Sequence, residues 1–154
     1  PNLNNMNTAS PQQRLSDRLI FLGMLLFLLG LVTGLFVPAF ANPRMGLSSH
    51  IEGVLNGIFL IVLGLIWHKL ALNLKWLKIT FWLAVYGTFA NWLGILTAAV
   101  FNAGKMLNIA AGGVEGPPWA EAIVIFSLIS LSVAMLFISV TALIGLGRNM
   151  RRKA

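Results

Sequence analysis

The sequence predicts an all-α, polytopic membrane protein, a four-transmembrane-helix bundle with its N- and C-termini cytoplasmic. Three observations carry that prediction. The 154 residues are 58% hydrophobic and only 10% charged, against about 25% charged in an ordinary soluble domain. The apolar residues fall into four runs, each long enough to cross about 30 Å of hydrocarbon at ~20 helical residues. The basic residues divide unevenly between the connections of those runs. The mean hydropathy of +0.85 agrees.

Residues 1–13, "PNLNNMNTASPQQ", are polar and lack periodicity, which predicts a disordered N-terminal tail. Residues 14–150 form a single membrane domain, and 151–154 a basic C-terminal tail. The first span covers 19–37 and is closed by Pro38. Its basic flank and the following Ala39-Phe40-Ala41 imitate a secretory signal, but the run exceeds the 7–15 apolar residues of a signal core. Gly23, Gly30 and Gly34 also pattern it for packing, so it reads as a span. The second span covers 47–70, the third 79–101 and the fourth 120–146. Lipid offers no partner for backbone polar groups, so these runs are helices. Gly30-x-x-x-Gly34, Gly53-x-x-x-Gly57 and the stripe Gly87, Asn91, Gly94 and Ala98 let helix backbones approach closely. The approach could be within one chain or between copies. The serines of the fourth span read as intrahelical back-bonders.

Orientation follows from lysine and arginine. Arg14, Arg18, Lys69, Lys75, Lys78, Arg148, Arg151, Arg152 and Lys153 fall on one side, and only Arg44 and Lys105 on the other. The richer side is cytoplasmic. The loop 102–119, rich in Gly and Pro, then covers the outer mouth of the bundle. The net charge of +7 reflects this topology. With no basic–aromatic cluster on a polar domain, it does not indicate nucleic acid. The absence of cysteine excludes disulfides, thiolate nucleophiles and Cys-ligated zinc, iron–sulfur or haem. His50, His68, Asp17, Glu52, Glu115 and Glu121 are then the whole inventory of acids and imidazoles.

Three of the polar residues stand together. The stretch Ser48-Ser49-His50-Ile51-Glu52-Gly53-Val54-Leu55-Asn56-Gly57 opens the second span. Ionisable groups in membrane helices point to function. Glu52 and Asn56 are i,i+4 and share a face, whereas His50 lies about 120° from Asn56 at 100° per residue. The helix therefore presents two polar directions. His50 could be a satisfied interfacial histidine, a general acid or base, or a metal ligand. His68 is 18 residues on, about 27 Å along a helix, so the two cannot bracket one iron. His68, beside Lys69, reads as an exposed cytoplasmic residue. Asn91, in the middle of the third span, must find its partners inside the bundle, as interhelical glue or in a substrate pocket.

The run His50-x-x-x-x-Leu55-Asn56-Gly57, at the head of the second of four spans, resembles the styrene oxide isomerases. The longer string "FVPAFANPRMGLSSHIEGVLNG" is similar to the bacterial hydroxylaminobenzene mutases of nitroaromatic degradation. The likeness covers most of residues 15–150 and is densest over 28–57. Both families carry out redox-neutral rearrangements of an activated aromatic, from an epoxide to an aldehyde or from an N-arylhydroxylamine to a 2-aminophenol. The resemblance implies a homo-oligomer, a trimer, in the bacterial inner membrane. It also implies haem b near a subunit interface, with His50 as axial ligand to the iron and Asn56 as a substrate-orienting donor. Two departures separate this chain from the isomerases. Ile95 stands where their active-site tyrosine is expected when the helix-three asparagine is aligned with Asn91, and Glu52 stands where their pattern is not acidic. Both favour the mutase.

The chemistry then expected is heterolysis of an N–O bond, assisted by a Lewis acid held by His50 or by a proton from the Glu52 carboxyl. Asn56 and Asn91 would orient the hydroxylamine group, and Trp82, Trp92, Phe89 or Phe59 would pack the small aromatic substrate. Rival classes remain. A four-helix transporter would use a membrane carboxylate, but Glu52 is near a span's end. A haem electron-transfer subunit would need two histidines per iron. A scaffold protein would need neither.

Overall fold

The computed structural model describes residues 9–152. Its elements are α1 (Pro11–Leu35), a 3₁₀ turn (Val37–Ala39), α2 (Pro43–Ile66), a second 3₁₀ turn (Trp67–Lys69), α3 (Leu74–Phe101), the short α4 (Asn108–Ala111) and α5 (Pro118–Arg151). The described residues contain no strand. α1, α2 with its following turn, α3 and α5 are the four spans, each long and apolar enough to cross a membrane.

Every span begins before its hydrophobic run, because backbone caps rather than hydropathy set helix ends. Ser10 accepts a hydrogen bond from the Gln13 N–H (3.1 Å), with Pro11 in the first turn. Asn42 caps α2 through the Met45 N–H (3.2 Å), again followed by proline. Asn73 caps α3 through the Trp76 N–H (3.0 Å), and Pro118 opens α5. Such side-chain acceptors and first-turn prolines are what an N-terminus requires. The disordered tail expected over 1–13 is therefore corrected at its end. Residues 11–13 are helical, and Gln12 Nε2 donates to the Trp67 carbonyl (2.9 Å). Residues 1–8 lie outside the described residues. At the other terminus Arg151 still belongs to α5, so the basic tail is shorter than expected. Residues 153 and 154 lie outside the described range.

α2 packs between α1 and α3, and α3 packs between α2 and α5. Along α1 and α2 the contact is backbone to backbone. A Cβ on Gly30 would fall 2.6 Å from Val54 N and 2.7 Å from Gly53 C, and one on Gly57 would fall 2.6 Å from Phe27 N. The small-xxx-small faces are thus spent on packing within the chain. The α3–α5 contact is looser, with Gly94 facing Ser127 and Gly87 facing Met135.

Two apolar clusters result. One, toward the end that carries both termini, gathers Leu19, Leu26, Leu60, Trp67, Leu77, Phe81 and Ile138. The other, at the loop end, gathers Met45, Ala98, Ala99, Ala103, Ala120 and Val124. Between them in sequence on α2 and α3 lies a polar layer of Ser49, Glu52, Asn56, Thr88 and Asn91, which Thr33 of α1 joins through Trp92. Outside the bundle the pattern inverts. Phe21, Leu28, Leu35, Leu55, Trp82, Phe126 and Leu136 are each more than half exposed, as a lipid-facing surface requires.

Replacing Gly30 by alanine is expected to lower stability by about 1–3 kcal/mol, the usual cost of overpacking. Gly147→Ala, where an added Cβ meets nothing within 4 Å, is expected to be near neutral. Thermal unfolding of the two variants in the same detergent measures the difference.

Candidate active site in the polar layer

The site is built from the first turns of α2. Asn42 and Pro43 start the helix, and its next two turns send polar side chains toward both neighbouring helices. Ser49 Oγ donates to the Trp92 carbonyl of α3 (3.2 Å). His50 turns to α1, its Nδ1 2.8 Å from the Gly30 carbonyl oxygen. Glu52 turns to α3.

Glu52 is the focus. Its Oε2 accepts from Asn91 Nδ2 at 2.6 Å and from Asn56 Nδ2 at 3.1 Å. Both amides meet the same carboxylate oxygen, and among the described residues none donates to Oε1. Asn56 is 7% exposed, and Glu52 and Asn91 are half-buried. The three residues singled out from the sequence for catalysis are therefore one connected group, and Asn91 has a hydrogen-bond partner on another helix.

His50 is not part of that group. The two polar directions expected of α2 are present, with Gly30 of α1 on one side and Asn91 of α3 on the other. Of the aromatic residues expected to pack a substrate ring, Trp92 is next to Asn91. It donates from Nε1 to Thr33 Oγ1 (3.2 Å) and fits against Gly53, where a Cβ would fall 2.9 Å from its Cδ1. Phe59 and Phe89 are half-buried against the apolar cluster. Trp82 is 65% exposed and stacks edge-on to Phe81 at 5.2 Å, so it faces outward and not into the site. Ile95 is buried at 6% exposure and carries no hydrogen-bonding group.

Residues 15–147 match the family described as styrene oxide isomerase. This chain belongs to that family. It is 52% identical to hydroxylaminobenzene mutase HabB of Ectopseudomonas oleovorans over 142 residues, 92% of this chain and 87% of that one. It is 50% identical to hydroxylaminobenzene mutase HabA of the same organism over 127 residues, 82% of this chain and 94% of that one. Mutases are isomerases, so these relatives are enzymes by name. No solved structure matches.

A haem suits the His50 side on two counts. A carbonyl oxygen only accepts, so in the neutral ring Nδ1 carries the hydrogen and Nε2 keeps the lone pair that a metal needs. Orientation of a ligating imidazole through its other nitrogen is the usual second contact of a metal-bound histidine. His50 also lines an apolar groove of about 660 Å³, with Leu28, Leu31, Leu35 and Leu47. A metal held by protein side chains alone would need more ligands. Among the described residues no three His, Asp or Glu side chains gather.

One polar anchor escapes sequence reasoning. Glu121 is 6% exposed, and its carboxylate accepts from the backbone N–H of Gly116 (2.8 Å) and of Lys105 (3.1 and 3.3 Å). It ties both ends of the 105–116 loop to the first turn of α5. Asn42 does the same from α2, donating to the Ala111 carbonyl (3.0 Å) and Asn102 Oδ1 (3.1 Å). The only sequence cue for Glu121 is an acid in the first turn of a helix after a Gly/Pro-rich loop. Its partners are backbone groups and leave no mark in the side-chain pattern.

Glu121→Ala removes the acceptor for two part-buried N–H groups. Stability is expected to fall by about 1.5–3 kcal/mol, the range for hydrogen bonds to a charged group, with faster proteolysis inside 102–117. Glu121→Gln retains one acceptor oxygen and should lose less in the same melting and digestion series.

Proposed function

We propose that this protein catalyses the rearrangement of an N-arylhydroxylamine, hydroxylaminobenzene or a ring-substituted relative, to the 2-aminophenol. The reading is carried by the convergence of Asn56 and Asn91 on one oxygen of Glu52, in a chain half identical to two proteins named for that activity. The reaction is redox-neutral and conserves every atom. The N–O bond breaks, with its electron pair leaving on oxygen. A C–O bond forms at the ortho carbon, and the migrating oxygen passes its surplus proton to the nitrogen. The proton displaced from that carbon returns to the acid as aromaticity is restored.

One carboxyl group can serve both ends of that sequence. With the amides of Asn56 and Asn91 holding Oε2, Oε1 is the oxygen of Glu52 open to carry and give a proton. That proton is given to the departing oxygen, which lowers the barrier to heterolysis. The resulting carboxylate then takes the ring proton. The amide oxygens of Asn56 and Asn91 accept from the N–H and O–H of the hydroxylamine and keep the oxygen near the ortho position. The apolar walls exclude bulk water, which would otherwise capture the cation at the para carbon. Phe59, Phe89 and Trp92 are the aromatic side chains near enough in sequence and burial to pack the ring.

In this reading His50 would hold haem b through Nε2, with Leu28, Leu31, Leu35 and Leu47 lining the groove that receives it. Bound there, haem iron supplies Lewis acidity toward an oxygen or nitrogen lone pair. The groove opens on the bundle's outer surface, where Leu35 is 79% and Leu47 51% exposed. Cover from a second copy in a homo-oligomer, a trimer by resemblance, would suit it. The multi-pass chain sits in the bacterial inner membrane with its basic end cytoplasmic. Epoxide isomerisation is the second reading, from the family description. Buried Ile95 in place of the expected tyrosine weighs against it.

Two measurements test these assignments. Glu52→Gln keeps an acceptor at Oε2 but has no carboxyl proton. Its conversion of hydroxylaminobenzene to 2-aminophenol is expected to fall by about 10²–10⁴-fold with the absorption spectrum unchanged. Full activity would remove the acid role. Oxidised and dithionite-reduced spectra of the purified protein are expected to show a Soret band that His50→Ala abolishes. A colourless, active wild type would refute the haem assignment and leave the acid–base reading in place.

A further inference from the structure

At the end of the bundle that carries both termini, the turn after α2, the start of α3 and the end of α5 surround a polar cavity of about 600 Å³. Gln12, His68, Asn73, Arg148, Asn149 and Arg152 supply its polar lining. The backbone there is fixed, since the Ala71 N–H donates to the Gly145 carbonyl (3.2 Å) and Gln12 clamps the Trp67 carbonyl. The helix dipole of α3 adds positive potential beside Asn73, its cap.

Among the described residues the arginines meet no carboxylate. The chain's four acids are all engaged elsewhere: Asp17 with Gln13 (2.8 Å), Glu52 with two asparagines, Glu115 with Lys105 (3.9 Å) and Glu121 with backbone N–H groups. Among the described residues Lys105–Glu115 is the only ion pair. A cavity with two guanidinium groups, an imidazole and several amides, and no negative side chain, selects an anion with several acceptor oxygens.

A second feature says which anion. Leu72 and Arg148 also line an adjoining groove of about 290 Å³ between α3 and α5, whose other walls include Trp76, Phe137, Val140 and Ile144. Trp76 and Phe137 close one side, with ring centroids 6.1 Å apart. The groove is apolar where the first cavity is polar, and the two meet at Arg148. A free phosphate would use only the polar part. From this continuity we infer that the site binds an anionic glycerophospholipid, with its phosphate on Arg148 and Arg152 and an acyl chain along Trp76, Val140 and Ile144. A tryptophan at the junction fits the headgroup level of a bilayer, and basic pockets between membrane helices are a known means of holding such headgroups. The occupant would brace α5, which the fold secures chiefly through α3. This site is separate from the Glu52 group and from the His50 groove.

The test is native mass spectrometry of the full-length protein in detergent, with dioleoyl phosphatidylglycerol and dioleoyl phosphatidylcholine added separately at equal concentration. Wild type is expected to retain the glycerol lipid several-fold better. Each arginine removed should weaken that retention on the order of fivefold, so Arg148→Gln/Arg152→Gln should lose most of the preference. Equal retention of the two lipids by wild type would overturn the proposal, and that comparison does not depend on any variant folding. Undiminished preference in the double variant would also overturn it. Displacement of the glycerol lipid by millimolar inorganic phosphate would assign the cavity to a free anion instead.

Discussion

Contact between α1 and α2 at Gly30 and Gly53 is the constraint on which the rest of the structure depends. Inside a bilayer the lipid tails are as apolar as leucine, so helices gain nothing by hiding hydrophobic surface from one another. What holds α1 to α2 is dispersion between closely fitted backbones, and only glycine permits that fit. The same approach brings the Gly30 carbonyl to 2.8 Å from His50 Nδ1. Gly34 is constrained by the same ring, because a Cβ there would fall 2.7 Å from Nδ1. Gly53 has a third neighbour, since its missing Cβ makes room for Trp92. Three helices thus register on two glycines, and the orientation of the imidazole is a result of that registration.

The polar layer between the two apolar clusters positions groups more than it stabilises the fold. Interhelical hydrogen bonds in membranes average about 0.6 kcal/mol and reach ~1.7 at most. Ser49 to Trp92, Trp92 to Thr33 and Asn91 to Glu52 therefore add a few kcal/mol between them. Apolar residues of the same volume could supply as much. What they could not supply is a carboxylate with one oxygen fixed by two amides and the other left free. Thr88 and Thr33 instead return their hydroxyls to their own helices, at Ala84 and Leu29, and so keep the layer satisfied without adding reactive groups.

The four spans, the shared face of Glu52 and Asn56 and the need of Asn91 for a partner inside the bundle are legible in the sequence for physical reasons. The choice of Glu52 as that partner is not. Span length follows from bilayer thickness, and a buried amide in a membrane helix must find a partner inside the bundle. The helix ends are less legible from hydropathy, although Ser10-Pro11, Asn42-Pro43 and Pro117-Pro118 mark them in cap chemistry. Trp82 shows where the pattern fails. α3 is apolar around its whole circumference, so no periodicity separates its lipid-facing aromatics from Trp92. Glu121 shows another failure, because loop N–H groups are present at every residue and a carboxylate's choice among them is set by tertiary structure.

His50 and Glu52 are two residues apart, so their side chains leave α2 about 160° from each other at 100° per residue. Between them on the outer side runs the exposed stripe Leu47, Ile51, Leu55 and Ile58. On the inner side Ser49, Gly53 and Asn56 fill the space against α1 and α3. A pocket within one chain that receives both groups would have to pass through the backbone contact at Gly30 and Gly53, which admits no atom larger than hydrogen. If both residues act on one substrate molecule, it must reach them around the outer side, across Leu47, Ile51, Leu55 and Ile58, or take one of the two groups from another copy of the chain. If they do not, the proton chemistry of the proposed rearrangement rests with Glu52 and its two asparagines, and His50 has a separate task. The geometry of α2 therefore ties the division of labour between these residues to what lies along its outer stripe.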